Sequence, residues 1–147
     1  DIVTGVSTGA LAAPFAFLGS DWDDELQHAY VSGGITGLLS ARTFSAFRAP
    51  SLFSPRVLCN LVDENVTQEL LAAIAVEHAK GRRLLVATTN LDTEETVIWD
   101  MGVLASQGSN PHGGAEALAL FRDVLVASAS IPGVFPPVLI SGLNPDG

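Results

Sequence analysis

A change of pattern within the first thirteen residues constrains the fold more than any other feature of the chain. Ile2, Val3 and Thr4 suit an extended strand, Gly5 closes that run, and Ala10, Leu11, Ala12 and Ala13 are good helix formers. The segment reads as strand, sharp turn, helix. The turn, Gly5-Val6-Ser7-Thr8-Gly9, fits G-x-S-x-G, in which a serine takes a strained backbone conformation and presents its hydroxyl at the edge of a sheet. Flanking glycines keep side chains from blocking close approach. A helix starting after the turn aims its unpaired N–H groups and the positive end of its dipole at the same spot. Ser7 is therefore expected to act as a nucleophile, with the Thr8 backbone N–H stabilising an oxyanion. The same small residues would also serve tight packing of a helix on a strand, so the pentapeptide alone names no reaction.

Two uncharged stretches, residues 2–20 and 124–145, are each long enough to cross a bilayer as a helix. Gly5, Gly9, Pro14 and Gly19 interrupt the first, and Pro132, Gly133, Pro136 and Pro137 the second, so buried strands, turns and helices are expected instead. With 48% hydrophobic and 16% charged residues, 147 residues can bury one ordinary core, which excludes a disordered or collagen-like segment. Seven Lys and Arg against sixteen Asp and Glu leave a formal charge of -9, which repels a phosphate backbone and argues against nucleic acid as a partner. The lone Cys59 allows no internal disulfide, and three histidines without clustered spacing point to no metal site. The chain starts at Asp1, its single methionine is Met101, and Asn144-Pro145-Asp146-Gly147 reads as half a turn. The expectation is an internal fragment, in which targeting signals, and with them localisation, are not legible.

Asp21 suits the cap of a polar helix from Trp22 towards Tyr30, which Ser32-Gly33-Gly34 breaks, and the stretch that follows reads as irregular. Asn65 and Gln68 are spaced as an N-cap and its N3 partner, opening a helix that includes Val66, Leu70 and Ile74 and stops at Gly81. Residues 83–89 and 96–99 read as strands joined through Asn90-Leu91-Asp92-Thr93. Leu118, Phe121 and Leu125 mark a helix from Gly113-Gly114 towards Ser128, and Val138-Leu139-Ile140 begins a final strand. Strands alternating with helices across one unbroken core imply an α/β sandwich with helices on both faces of the sheet, with no repeat, linker or second domain.

Four blocks carry a resemblance. The run from Asp1 to Leu11, Thr88-Thr89-Asn90-Leu91-Asp92-Thr93, Trp99-Asp100-Met101-Gly102, and the run from Ala127 to Pro137 resemble, in the same order, those of the bacterial patatin-like phospholipases. Ser130-Ile131-Pro132-Gly133-Val134-Phe135-Pro136-Pro137 is the most distinctive of them. The resemblance implies a three-layer α/β/α sandwich, incomplete at both ends, so that residues 1–147 form part of one such domain. It also implies a hydrolase that cleaves acyl esters of lipids through a Ser/Asp dyad and an acyl-enzyme, without histidine base, metal or organic cofactor. Ser7 matches the nucleophile, a lipid or acyl ester is the implied substrate, and a membrane surface is a further contact. The family's glycine-rich oxyanion loop lies upstream of the nucleophile strand, and so before Asp1. Its aspartate stands in an Asp-Gly-Gly or Asp-Gly-Ala motif after a strand beyond the Pro-Pro block. Asp146-Gly147 invites that match, but Asn144-Pro145 is turn chemistry, so Asp146 is assigned to a turn and the dyad aspartate to a position beyond it. On that basis residues 1–147 alone are expected to be inactive.

Two alternatives stand beside the dyad hydrolase: a Ser-His-Asp triad esterase or acyltransferase, and a non-catalytic lipid-binding homologue. His28, His78 and His112 all follow Ser7, as the triad order requires. His28 and His78 lie in polar helical stretches and His112 in a Gly-rich loop, so all three are read as solvated surface residues. Asp92, Glu94, Glu95 and Asp100 are read as a solvated loop face and not as catalytic or calcium-binding groups. Phe44, Phe47, Leu52 and Phe53 suit either an apolar flap over an acyl-chain site or core packing. Cys59 is read as a small buried hydrophobe with no lowered thiol pKa.

Overall fold

The computed structural model describes residues 1–32, 55–108, 113–130 and 137–140. The expectations for Phe44, Phe47, Leu52, Phe53, His112 and Asp146 lie outside these residues. Three strands, β1 (Ile2–Gly5), β2 (Arg83–Asn90) and β3 (Glu95–Asp100), form one sheet in the order β1-β2-β3. β1 runs parallel to β2, with Ile2 opposite Arg83 and Gly5 opposite Val86. A parallel pair needs a long crossover, and it contains α1 (Thr8–Leu18), a 3-10 turn (Ser20–Trp22), α2 (Asp23–Ser32), α3 (Pro55–Asn65) and α4 (Gln68–Ala79). β2 and β3 are antiparallel, with Leu85 opposite Asp100 and Asn90 opposite Glu95. The Asn90 side chain closes their turn by accepting from the Asp92 and Thr93 backbone N–H groups at 2.9 and 3.3 Å. Two helices complete the described elements, α5 (Met101–Gln107) and α6 (Gly114–Ala129).

α1 carries no charged residue and buries Ala10, Leu11, Ala13, Phe15 and Phe17, the pattern of a core helix. Burial alternates along β2: Leu84 and Val86 enter the core, while Leu85 and Ala87 are half-buried on the other face. Phe17, Leu70, Ile74, Met101, Phe121 and Leu125 join Leu84 and Val86 in a single buried cluster, against which α2 packs the partly buried Leu26 and Tyr30. On the opposite sheet face Ile2 and Ile98 are 67% and 59% exposed. Sheet and helices thus form an incomplete α/β fold, with one helical layer among the described residues.

Three expected elements differ. Asn65 does not cap α4; it ends α3, where its side chain donates to the Leu61 carbonyl at 2.8 Å. Thr67 is the cap, its hydroxyl accepting from Leu70 N–H at 3.2 Å. α3 itself lies where the chain reads as irregular, because Pro55 looks like a breaker but is tolerated in a first helical turn. Its buried Leu58, Leu61 and Val62 recur at i, i+3 and i+4. Residues 137–140 are described but form no strand. Cys59 is exposed and not in the core, because the inward face of α3 is already taken by those three residues. Its thiol pKa is nonetheless raised, by partial desolvation and then by the Asp63 and Asp123 carboxylates, so it is not an activated thiol.

Arg122 of α6 ties two helices together. Its guanidinium donates to the Val66 carbonyl at 2.9 and 2.7 Å and to the Asp63 carbonyl at 2.9 Å, and it pairs with the Asp63 carboxylate at 3.2 Å. Asp63 lies in the last turn of α3 and Val66 directly follows it, at the end of the helix where a cation suits the dipole. Arg122→Ala is expected to lower stability by about 1–3 kcal/mol, the range for charge-assisted hydrogen bonds, and Arg122→Lys to restore only part of it, as urea unfolding would measure.

Glu77 links the end of α4 to Lys80 at 2.6 Å and Arg82 at 3.0 Å. Those hydrogen bonds, Lys80 first, hold its carboxyl below the usual carboxylate range. A carboxylate with a depressed folded pKa stabilises above its unfolded value of about 4.3 and loses that contribution as pH falls through the folded value. Glu77→Gln is therefore expected to be less stable than wild type at neutral pH. It should also show a shallower loss of thermal midpoint on acidification from about pH 5 to about pH 3.

Candidate active site

The expected strand-turn-helix is present, and Ser7 stands at its bend. β1 stops at Gly5, Val6 is exposed, and Ser7 adopts φ 55° and ψ -131° immediately before the first residue of α1. Among the described residues only Ser7 and Glu94 combine a side chain with a positive φ. Such a conformation costs about 1–3 kcal/mol and persists only where the surroundings impose it. Here the surroundings are visible. Gly9 N–H donates to the Val6 carbonyl at 3.0 Å and Ala10 N–H to the Ser7 carbonyl at 2.9 Å, which tightens the turn into α1. Ser7 N–H donates to Ser128 Oγ at 3.1 Å. The Ser7 side chain is exposed and makes no capping bond to α1, so its hydroxyl is not used in starting the helix.

The two glycines of the turn do different work. A Cβ on Gly5 would lie 2.7 Å from the Gly9 carbonyl oxygen and 2.8 Å from both Ala10 Cα and Ala13 Cβ. Only a glycine lets β1 and α1 approach so closely. Around Gly9 nothing among the described residues lies within 4 Å of such an atom, so its small size leaves space above the turn. Thr8 heads α1, and no backbone carbonyl among the described residues accepts its N–H.

The other candidates are dispersed. Asp92, Glu94 and Glu95 are exposed around the β2–β3 turn, as expected for a solvated loop. Asp100 is not part of that face: it caps α5, accepting from Val103 N–H at 3.1 Å. His28 is exposed on α2. His78 departs from the solvated reading. Its side chain is 17% exposed, packs against Gly102 so closely that any Cβ there would overlap its ring, and lies 3.8 Å from Asp100. α4 leads into the first residue of β2, whereas Ser7 follows the last residue of the parallel β1, so His78 and Ser7 lie at opposite ends of the sheet.

The sequence reading missed Ser128. It lies in the last turn of α6 and donates its hydroxyl proton to the Ala87 carbonyl of β2 at 2.6 Å while accepting from Ser7 N–H. The available signal was a serine within an otherwise apolar helical turn, set inside the block that carries the resemblance.

A mixed three-strand sheet packed by helices, with a serine of positive φ between a parallel strand and the helix that follows it, makes this an incomplete α/β fold. The family model described as patatin-like phospholipase matches residues 1–147, and the chain belongs to that family, whose members are hydrolases acting on lipids. Neither the curated proteins nor the solved structures contain a match. No described helix is long and apolar enough to cross a membrane.

Proposed function

We propose that the protein is a lipid acyl hydrolase whose nucleophile is Ser7, working with an aspartate in a dyad. The observation that carries this reading is the backbone of Ser7, φ 55° and ψ -131° at the head of α1, with its hydroxyl exposed and free of any helix-capping bond. Strain of this kind has no use in packing a helix on a strand, and a turn of this kind presents a serine hydroxyl at the edge of a sheet.

In the proposed reaction the aspartate, outside the described residues, accepts the Ser7 proton as Oγ attacks the ester carbonyl carbon. The Thr8 N–H, at the positive end of α1, donates to the oxyanion of the tetrahedral intermediate. The intermediate collapses to an acyl-serine, and the departing alcohol takes the proton from the aspartate. Water, deprotonated by the same carboxylate, then attacks the acyl-serine, releasing the fatty acid and returning the proton to Ser7. An open site above Gly9 suits an ester at the surface of a lipid aggregate, and no metal or organic cofactor enters these steps. His78 is disfavoured as the base of a triad, because it faces Asp100 at 3.8 Å and not Ser7; His112 lies outside the described residues.

The complete protein, treated with a fluorophosphonate, should gain the mass of one phosphonyl group at Ser7 and should release fatty acid from phospholipid or neutral acyl esters. A folded, complete protein that takes up no label would refute the hydrolase and leave the non-catalytic lipid-binding reading, which vesicle sedimentation would test.

A further inference from the structure

We propose that Ser128 is a positioning residue for the nucleophile, its hydroxyl inserted into the β1–β2 ladder where the chain must leave the sheet to form the turn. The proposal rests on the reading of Ser7 as nucleophile and adds the group that holds it.

The ladder shows what Ser128 displaces. Asp1 C=O accepts from Arg83 N–H at 3.0 Å, and Gly5 stands opposite Val86. In a parallel pair the bonds alternate along the strand. Continued in register, that alternation would bring Ser7 N–H to the Ala87 carbonyl. The structure instead has Ser7 N–H on Ser128 Oγ at 3.1 Å and Ser128 Oγ–H on the Ala87 carbonyl at 2.6 Å. One hydroxyl thus spans both ends of a missing ladder bond. The directions are fixed by chemistry: the Ala87 carbonyl can only accept, so the single hydroxyl proton points to it and a lone pair faces the Ser7 N–H. Both backbone groups stay satisfied while Ser7 is held away from β2, free to take its positive φ. The Ser7 N–H is also committed, which leaves the Thr8 N–H as the donor that the turn offers to an oxyanion.

Without the hydroxyl, two outcomes are open to the backbone, and both displace the nucleophile. The ladder can close, drawing Ser7 N–H onto the Ala87 carbonyl and the turn towards extended backbone, or the two groups can take up water and loosen the turn. Ser128→Ala in the complete protein is therefore expected to slow fluorophosphonate labelling of Ser7, and kcat on a soluble acyl ester, by about 10- to 100-fold, as a displacement near 1 Å does. KM should stay within about 2-fold, because the ester's ground-state contacts are untouched. Ser128→Thr, which keeps the hydroxyl, should recover most of the rate, and Ser128→Cys, a weak donor and acceptor, should fall between. Rates are taken per folded molecule well below each thermal midpoint.

Wild-type labelling rates in Ser128→Ala, or in Ser128→Cys if the alanine variant does not fold, would overturn the proposal. So would a loss that follows the thermal midpoint and disappears once activity is divided by the number of titratable sites. An unlabelled wild type would refute the hydrolase reading itself, and the positioning role with it; a labelled wild type with an equally labelled Ser128→Ala would refute the positioning role alone.

Discussion

Replacing Ser7 with alanine is expected to abolish fluorophosphonate labelling and to lower ester hydrolysis by at least about 10^4-fold, the scale on which loss of a covalent nucleophile acts. Stability, unlike activity, should depend on which residue replaces Ser7. Alanine keeps a Cβ and inherits the strain of φ 55°, so Ser7→Ala should unfold near the wild-type midpoint. Glycine takes that conformation freely. Ser7→Gly should recover much of the about 1–3 kcal/mol of strain, less the about 0.5–1 kcal/mol of extra freedom that glycine gives the unfolded chain. Thermal unfolding of the two inactive variants side by side makes the comparison. A glycine variant no more stable than the alanine one would show that the turn stores no strain at Ser7.

A second large effect is expected at Gly5 and not at Gly9, although both belong to the same pentapeptide. Gly5→Ala places a methyl 2.7 Å from the Gly9 carbonyl oxygen and 2.8 Å from Ala10 Cα and Ala13 Cβ. None of these atoms can rotate aside, so α1 must move off β1. Overpacking of this kind costs about 1–3 kcal/mol, and the displaced turn should lose about 100-fold in kcat. Gly9→Ala meets nothing within 4 Å among the described residues and lies in the first turn of α1, where alanine outranks glycine by up to about 1 kcal/mol. It should fold at least as well as wild type. Any activity lost in Gly9→Ala then reports contact with the ester, and urea unfolding with ester hydrolysis in parallel separates the two cases.

The parts of this site that were legible in the sequence are the local ones. The strand, the bend and α1 show themselves because residue type changes from β-branched to glycine to alanine within a dozen positions, and each type acts on its own backbone. The β2–β3 pair is legible for the same reason, through Asn90 and the residues after it. α5 was hidden because its cap, Asp100, is also the last residue of β3, and seven residues show little period. Asn65 and Thr67 are both plausible caps two positions apart, and only the end of α3 decides between them. His78 reads as solvated from its polar neighbours, whereas its burial is set by Gly102 on another element. Ser128 is the extreme case, since nothing near it in the chain indicates that its partner is Ser7.

That partnership joins positions separated by 121 residues, which bears on when the protein becomes reactive. Contacts of such high order form late, because each requires the intervening chain to have been gathered first. During synthesis β1 emerges before α6, so the hydroxyl that holds Ser7 away from the sheet is made later, and α6 must dock before it arrives. Nascent, stalled or clipped chains would carry Ser7 on an unclamped backbone. On the proposed reading of Ser7, its reactivity towards esters would then wait on the docking of α6, however early the serine itself is made.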